Sequence, residues 1–251
     1  MDVNQIKDLT QSLADYAPKV NEMANLINST SVKAGQIIIL IMLLLEMESW
    51  HRYLKQESGG FNNGLFLELF FKFFLAFLAV TYSATIFDAI AELFNIILKA
   101  LSKLVSVSEF KNSVDTDGID GWVFKSFLGL VGAITDVVVG ISMKLIIFMR
   151  AFEMYILKAI APLLIAFWMA DGTRDIAKNL LKQFAAAAFQ GIVLFVVSAT
   201  YAAFVTDDLF KVSTGRGNGW DIAWSSILKS IIFVFTIWKT QQQAKKLFGT
   251  S

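Results

Sequence analysis

No cysteine occurs in the 251 residues, which excludes disulfides, a thiolate nucleophile and thiolate metal sites. The one histidine, His51, excludes a metal centre built on several imidazoles. Excess charge is also missing: 22 basic residues face 21 acidic ones, too even a balance for a chain-wide field that attracts nucleic acid. No G-x-x-x-x-G-K-[ST] loop is present to hold ATP, and the glycine-rich TGRGNGW at 214–220 follows no strand. VDTDGIDGW at 114–122 lacks the ligand spacing and late glutamate of a calcium loop and reads as a polar turn. Residues 1–36 lack the basic start and apolar run of a signal peptide. No acid–base or nucleophile constellation stands out, so the expectation is a protein without enzymatic activity, metal or cofactor.

What the chain has in abundance is apolar surface. Hydrophobic residues make up 56%, 23 of them phenylalanine, and the mean hydropathy is +0.59. A soluble domain builds its core with about 45–50% apolar residues, so the surplus points to lipid. Five long apolar runs lie at about 35–53, 65–87, 122–143, 184–206 and 222–238. They are too long for the ~10-residue strands of a membrane barrel. The predicted fold is all-α: a polytopic helical membrane protein of about five transmembrane helices, a re-entrant or interfacial helix, and an amphipathic N-terminal helix. Trp50 and Tyr53 are placed as interfacial anchors at the end of the first run, and 88–105 reads as an amphipathic tail leaving the bilayer along its surface.

Residues 1–33 form the predicted N-terminal unit, an extracytoplasmic amphipathic helix, and 34–251 the transmembrane domain. Ile6, Leu9, Leu13, Tyr16, Val20, Met23 and Ile27 alternate steps of three and four, a heptad seam that Pro18 should interrupt. Such a seam covers the protein's own surface or meets partner helices. Basic residues stay cytoplasmic: Arg52 and Lys55, the stretch 171–182, and the tail with Lys239, Lys245 and Lys246 read inside. The acidic stretches 106–121 and 207–221 read outside. This pattern sets the N-terminus outside and the C-terminus inside. The apolar piece 159–170 is then too short to cross, and with Pro162 it reads as re-entrant. The alternative makes 145–170 a sixth span carrying Arg150 and Glu153.

Few polar residues interrupt the runs. Glu68 and Lys72, four apart, can neutralise each other on one helix face. Gly129, Ala133, Asp136 and Gly140 share a face on which small residues allow close helix contact. An aspartate left facing lipid there costs about 2.5–3.5 kcal/mol on the insertion scale. Asp136 is therefore either part of a polar pathway or an internally bonded packing residue. Lys229 is its natural partner, unless it snorkels to the surface. Ala187, Gly191 and Ser198 form a second small-residue face.

The segment 150–205 carries a resemblance. Ala161, Pro162 and Leu163 end an apolar piece at a charged turn; Arg174, Lys182, Phe184, Ala185 and Gln190 follow before the next span. This is similar to the signature region of the TrbL (VirB-six-like) family, polytopic channel subunits of bacterial conjugation and type IV secretion, in the short form of Gram-positive elements. The resemblance implies a multi-pass protein of the bacterial cytoplasmic membrane that helps form the passage for DNA and protein. It also implies self-association, secretion ATPases and other type IV subunits as partners, and nucleic acid in transit without a binding motif of its own. The small-residue faces would serve contacts between copies. Larger members carry a long hydrophilic region that is here only the loop 106–121. Two other readings stay open: a small-solute or ion transporter using Asp136 and Glu68, and a purely structural assembly scaffold.

Overall fold

The computed structural model describes residues 3–56, 63–105, 122–206, 212, 213, 215 and 218–250. Helices account for nearly all of it, and no strand occurs among the described residues. The helices are α1 (Val3–Thr10), α2 (Leu13–Tyr16), α3 (Pro18–Gln56), α4 (Asn63–Thr81), α5 (Ser83–Leu104), α6 (Trp122–Ile165), α7 (Arg174–Thr206) and α8 (Asn218–Leu247). Two short 3₁₀ turns, Ala166–Trp168 and Asp171–Thr173, join α6 to α7. Pro18–Arg52, Trp122–Trp168, Asp171–Tyr201 and Gly219–Leu247 are each long and apolar enough to cross a membrane. Phe66–Thr81 with Ser83–Leu104, bent by 73°, makes a fifth if the pair counts as one span. The molecule is a polytopic helical membrane protein.

α6 is the axis. Its 44 residues run about 66 Å at 1.5 Å each, and the other long helices pack along successive parts of it. α8 runs parallel to the first part: Phe124 meets Trp220 near both starts, and Glu153 meets Lys245 near the end of α8. α3 runs parallel to the second part, pairing Asn28 with Lys158 and Glu46 with Asp171. α7 returns antiparallel beside both. Two large apolar cores result, with a smaller third of Leu128, Ala223 and Ile227 near the starts of α6 and α8. One holds Met143, Ile147, Phe195 and Phe233; the other holds Ile39, Val80, Phe87, Ala161 and Phe184, with Phe87 edge-on to Phe184 at 4.5 Å. Outward-facing apolar side chains line α6 from Trp122 and Phe127 to Phe152 and Ile156. They continue on α3 (Ile37, Leu40, Leu44) and α4 (Phe66, Phe70, Phe74).

Several expectations change. The piece 159–170 is neither re-entrant nor a separate span, because α6 continues through it to Ile165 and ends in the 3₁₀ turn. Pro162 has no N–H for the Lys158 carbonyl, a loss that ordinarily bends or breaks a helix. Here the Asn28 amide of α3 donates to that carbonyl at 2.6 Å instead. α3 can come so close because residue 35 is glycine: a Cβ there would lie 2.6 Å from the Pro162 carbonyl oxygen. Lys158 and Arg150, basic residues that a count of charges alone would place in a cytoplasmic loop, are buried within the bundle.

The run 65–87 is broken at Tyr82, where α4 gives way to α5. Thr81-Tyr82-Ser83 is a string of weak helix formers, and Ser83 turns inward to Asn28 at 3.2 Å. Pro18 interrupts the N-terminal seam as expected, standing first in α3 after the non-helical Ala17. The break also rotates the stripe. Leu9 and Leu13 are buried, whereas Val20, Met23 and Ile27 face outward and Ala24 and Asn28 take the inner face. The division at 33/34 falls inside α3. The two ends of the chain meet the same short stretch of α6: Leu9 accepts from Arg150, and Lys245 pairs with Glu153. The turns at 114–121 and most of 207–217 lie outside the described residues, as does the Tyr53 side chain.

Candidate functional site: the buried charged layer

Where the two cores meet, α6 presents Arg150, Glu153 and Lys158 on successive turns. Arg150 is buried, and its guanidinium donates to three backbone carbonyls: Ala187 at 3.1 Å, Ala188 at 3.3 Å and Leu9 at 3.4 Å. It has no carboxylate partner among the described residues. Space for it comes from Gly191, where a Cβ would lie 2.5 Å from the guanidinium nitrogen. Lys158, 0% exposed, donates to Asp88 of α5 at 2.6 and 2.9 Å and to Asn21 of α3 at 3.0 Å. A buried ammonium is tolerated only when paired and hydrogen-bonded in this way. Glu153 reaches α8, accepting from Lys245 at 2.7 Å and Gln241 at 3.2 Å. Tyr155 donates to the Leu13 carbonyl at 2.5 Å. Burial and the neighbouring Asp8 carboxylate raise the Tyr16 phenol above its ordinary pKa, against the opposing pull of Arg150. A little over two turns of α6 thus ties both ends of the chain to α3, α5 and α7.

A second polar cluster closes the α6–α7 turn. Glu68 and Lys72 pair at 3.5 Å, as their spacing predicts. Lys72 also reaches Asp171 at 3.4 Å and the buried Glu46 at 3.9 Å, and lies 5.5 Å from the Trp50 ring centre. Arg174 pairs with Asp171 at 2.5 Å and stacks 5.5 Å over Trp168. Trp50 donates to Glu46 at 3.1 Å, so it works inside this cluster.

The remaining sequence candidates fall in different places. Ala161, Pro162 and Gln190 are buried; Lys182 is exposed. The Gln190 Oε1 is buried without a partner. Ala187, Gly191 and Ser198 face inward, where Arg150 occupies the gap at Gly191, so this face is internal packing and no surface for another copy. Gly129, Ala133 and Asp136 face outward, and a Cβ at Gly129 or Gly140 would meet nothing within 4 Å. Asp136 forms no ion pair among the described residues, so the expected pairing with Lys229 is not made. Lys229 is half-buried on α8, and its carbonyl accepts the Tyr201 hydroxyl. Sequence reasoning missed Asn28 and Asp88. Asn28 sits one residue past the supposed seam position Ile27, and Asp88, itself half exposed, one past the end of an apolar run, so neither looked like a partner for a buried group. The proline was the available signal, since it implied a stranded carbonyl four residues earlier.

No curated protein and no solved structure matches the chain. The family model described as TrbL/VirB6 plasmid conjugal transfer protein matches residues 58–240, from just before α4 to within α8. That stretch holds the α5, α6 and α7 contributions to the charged layer, but not Gln241 and Lys245 of α8, and all of the turn cluster except Glu46 and Trp50. With most of its length matched, the chain belongs to the TrbL/VirB6 family of plasmid conjugal transfer proteins.

Proposed function

We propose that the protein is a non-enzymatic channel or scaffold component in the cytoplasmic membrane of a conjugative type IV secretion system. Several copies, with partner secretion ATPases and other subunits, would form or frame the passage for DNA and protein. The observation that carries this reading is the family match over 58–240. The face of Gly129, Ala133, Asp136 and the half-buried Gly140 supports self-association: it is open at both glycines and bears a carboxylate that lipid would penalise. The transporter reading loses support, because Glu68 is engaged by Lys72 and Asp136 faces away from the bundle interior. Deletion of the chain from a donor cell is expected to abolish DNA transfer while leaving growth and solute uptake unchanged. Unimpaired transfer would refute the proposal. Photocrosslinking of transferring DNA to this subunit separates conduit, which gives adducts, from scaffold, which gives none.

A further inference from the structure

Residues 3–16 lie across the charged layer as a separate piece. The segment consists of α1 and α2, of eight and four residues, and the non-helical Ala17 with Pro18 sets it off from α3. Helices shorter than about 12–15 residues barely hold their shape alone in water, so this segment is ordered by what it lies on. Gln5, Leu9 and Leu13, four residues apart, are its buried face. Leu9 enters the core of Met143 and Ile147, and Leu13 the core of Phe87 and Phe184. Two side chains of α6 grip its backbone. Arg150 donates to the Leu9 carbonyl at 3.4 Å, the longest of its three bonds, and Tyr155 to the Leu13 carbonyl at 2.5 Å. Lys7, Asp8 and Asp15 make no ion pair with α5 or α6 among the described residues. The fit beneath is loose: a cavity of about 230 Å³ remains between Asp8, Ser12 and Tyr16 on one side and Asp88, Glu92 and Met154 on the other. A water needs only about 10–15 Å³ on such a measure, so many contacts of a close-packed interface are missing here.

The layer under the segment holds together without it. Arg150 keeps the Ala187 and Ala188 carbonyls of α7, and water can take the place of the Leu9 carbonyl. Lys158 draws its partners from α3 and α5, Asn21 and Asp88. Glu153 draws its own from α8. We propose that residues 3–16 are a releasable strap. It pivots about Ala17 and lifts from α5 and α6 while the long helices stay packed. Lifting opens the Arg150 guanidinium, the Tyr155 hydroxyl and the cavity floor to solvent. The strap lies outside the family-matched stretch and the floor lies inside it, so a segment beyond that stretch controls access to residues within it.

The test uses the full chain in mild detergent, where no native cysteine competes. Met154→Cys sets a thiol in the cavity floor, and Ala166→Cys sets one in the core away from the strap; the parent side chains are 3% and 0% exposed. Mass spectrometry follows their reaction with a water-soluble maleimide. Met154→Cys should react about tenfold or more faster than Ala166→Cys, because lifting the strap is a smaller event than unfolding the bundle. Leu9→Ala, which removes an anchor, should speed the Met154→Cys reaction by about tenfold or more. Ile39→Val, in the core of α3, should speed the Ala166→Cys reaction and leave that of Met154→Cys unchanged, since the open and closed straps share that core equally. A Met154→Cys rate indifferent to Leu9→Ala overturns the proposal, because the floor is then reached without any movement of the strap. Ile39→Val speeding both thiols alike overturns it too, because the floor is then reached only by unfolding. Ala151→Cys, in the same floor, serves if Met154→Cys fails to fold.

Discussion

Asn28→Ala should weaken the protein, and Pro162→Ala should repair most of the damage. The native Asn28 amide supplies the Lys158 carbonyl with the donor that a proline at 162 cannot provide. Removing it leaves a buried carbonyl unpaired, at a cost of about 1–3 kcal/mol. The Ser83 hydroxyl loses its acceptor as well, but a serine in the first turn of a helix finds other partners, so that part is small. At about 2–4 °C per kcal/mol for a chain of this size, melting in mild detergent should fall by several degrees. The substitution Pro162→Ala restores an N–H to the Lys158 carbonyl. In that background Asn28→Ala should cost little, giving a double-mutant coupling of about 1 kcal/mol or more. Fluorescence-detected size-exclusion chromatography after heating reads all four proteins. A penalty for Asn28→Ala that is the same in the native and the Pro162→Ala backgrounds would refute the account of how α6 passes through its proline.

Three further predictions follow from the charged layer and the outer face. Gly191→Ala should displace the Arg150 guanidinium and destabilise the bundle by about 1–3 kcal/mol, whereas Gly129→Ala, with open space around it, should leave melting unchanged. Glu153→Gln should loosen the end of α8, seen as faster proteolysis after Lys245 with little change in overall melting. Since the chain has no native cysteine, single cysteines at Lys7 and Lys246 can be labelled in intact cells. Both should react from the same side, and labelling from opposite sides would contradict the packing of the two ends on α6.

The fold class was legible because long apolar runs admit one solution in lipid, and Glu68 with Lys72 was legible because four residues is a helical neighbour distance. The course of α6 was not. Lys144, Arg150 and Lys158 look like a solvent-facing loop when charge alone is counted, yet Lys158 is neutralised by Asp88, 70 residues earlier. Charge rules weigh residues by number and know nothing of partners supplied by distant helices. Asp136 fell to the same blindness: the stripe it shares with Gly129 was visible, but which way the stripe faces depends on where α7 and α8 pack. The Arg150 site was hidden because its acceptors are backbone carbonyls, which every residue has and no sequence pattern marks.

The length of α6 sets a limit on what lipid can cover. A bilayer's hydrocarbon is about 30 Å thick. A rod of about 66 Å, leaning by the roughly 40° that marks the steep end of observed tilts, still rises about 50 Å. Greasy side chains follow most of that rise, first on α6 itself and then on α3 and α4. About 20 Å of them stand beyond the reach of acyl chains, where water would drive them together. The length of α6, more than its composition, is what leaves apolar surface that the hydrocarbon layer cannot cover.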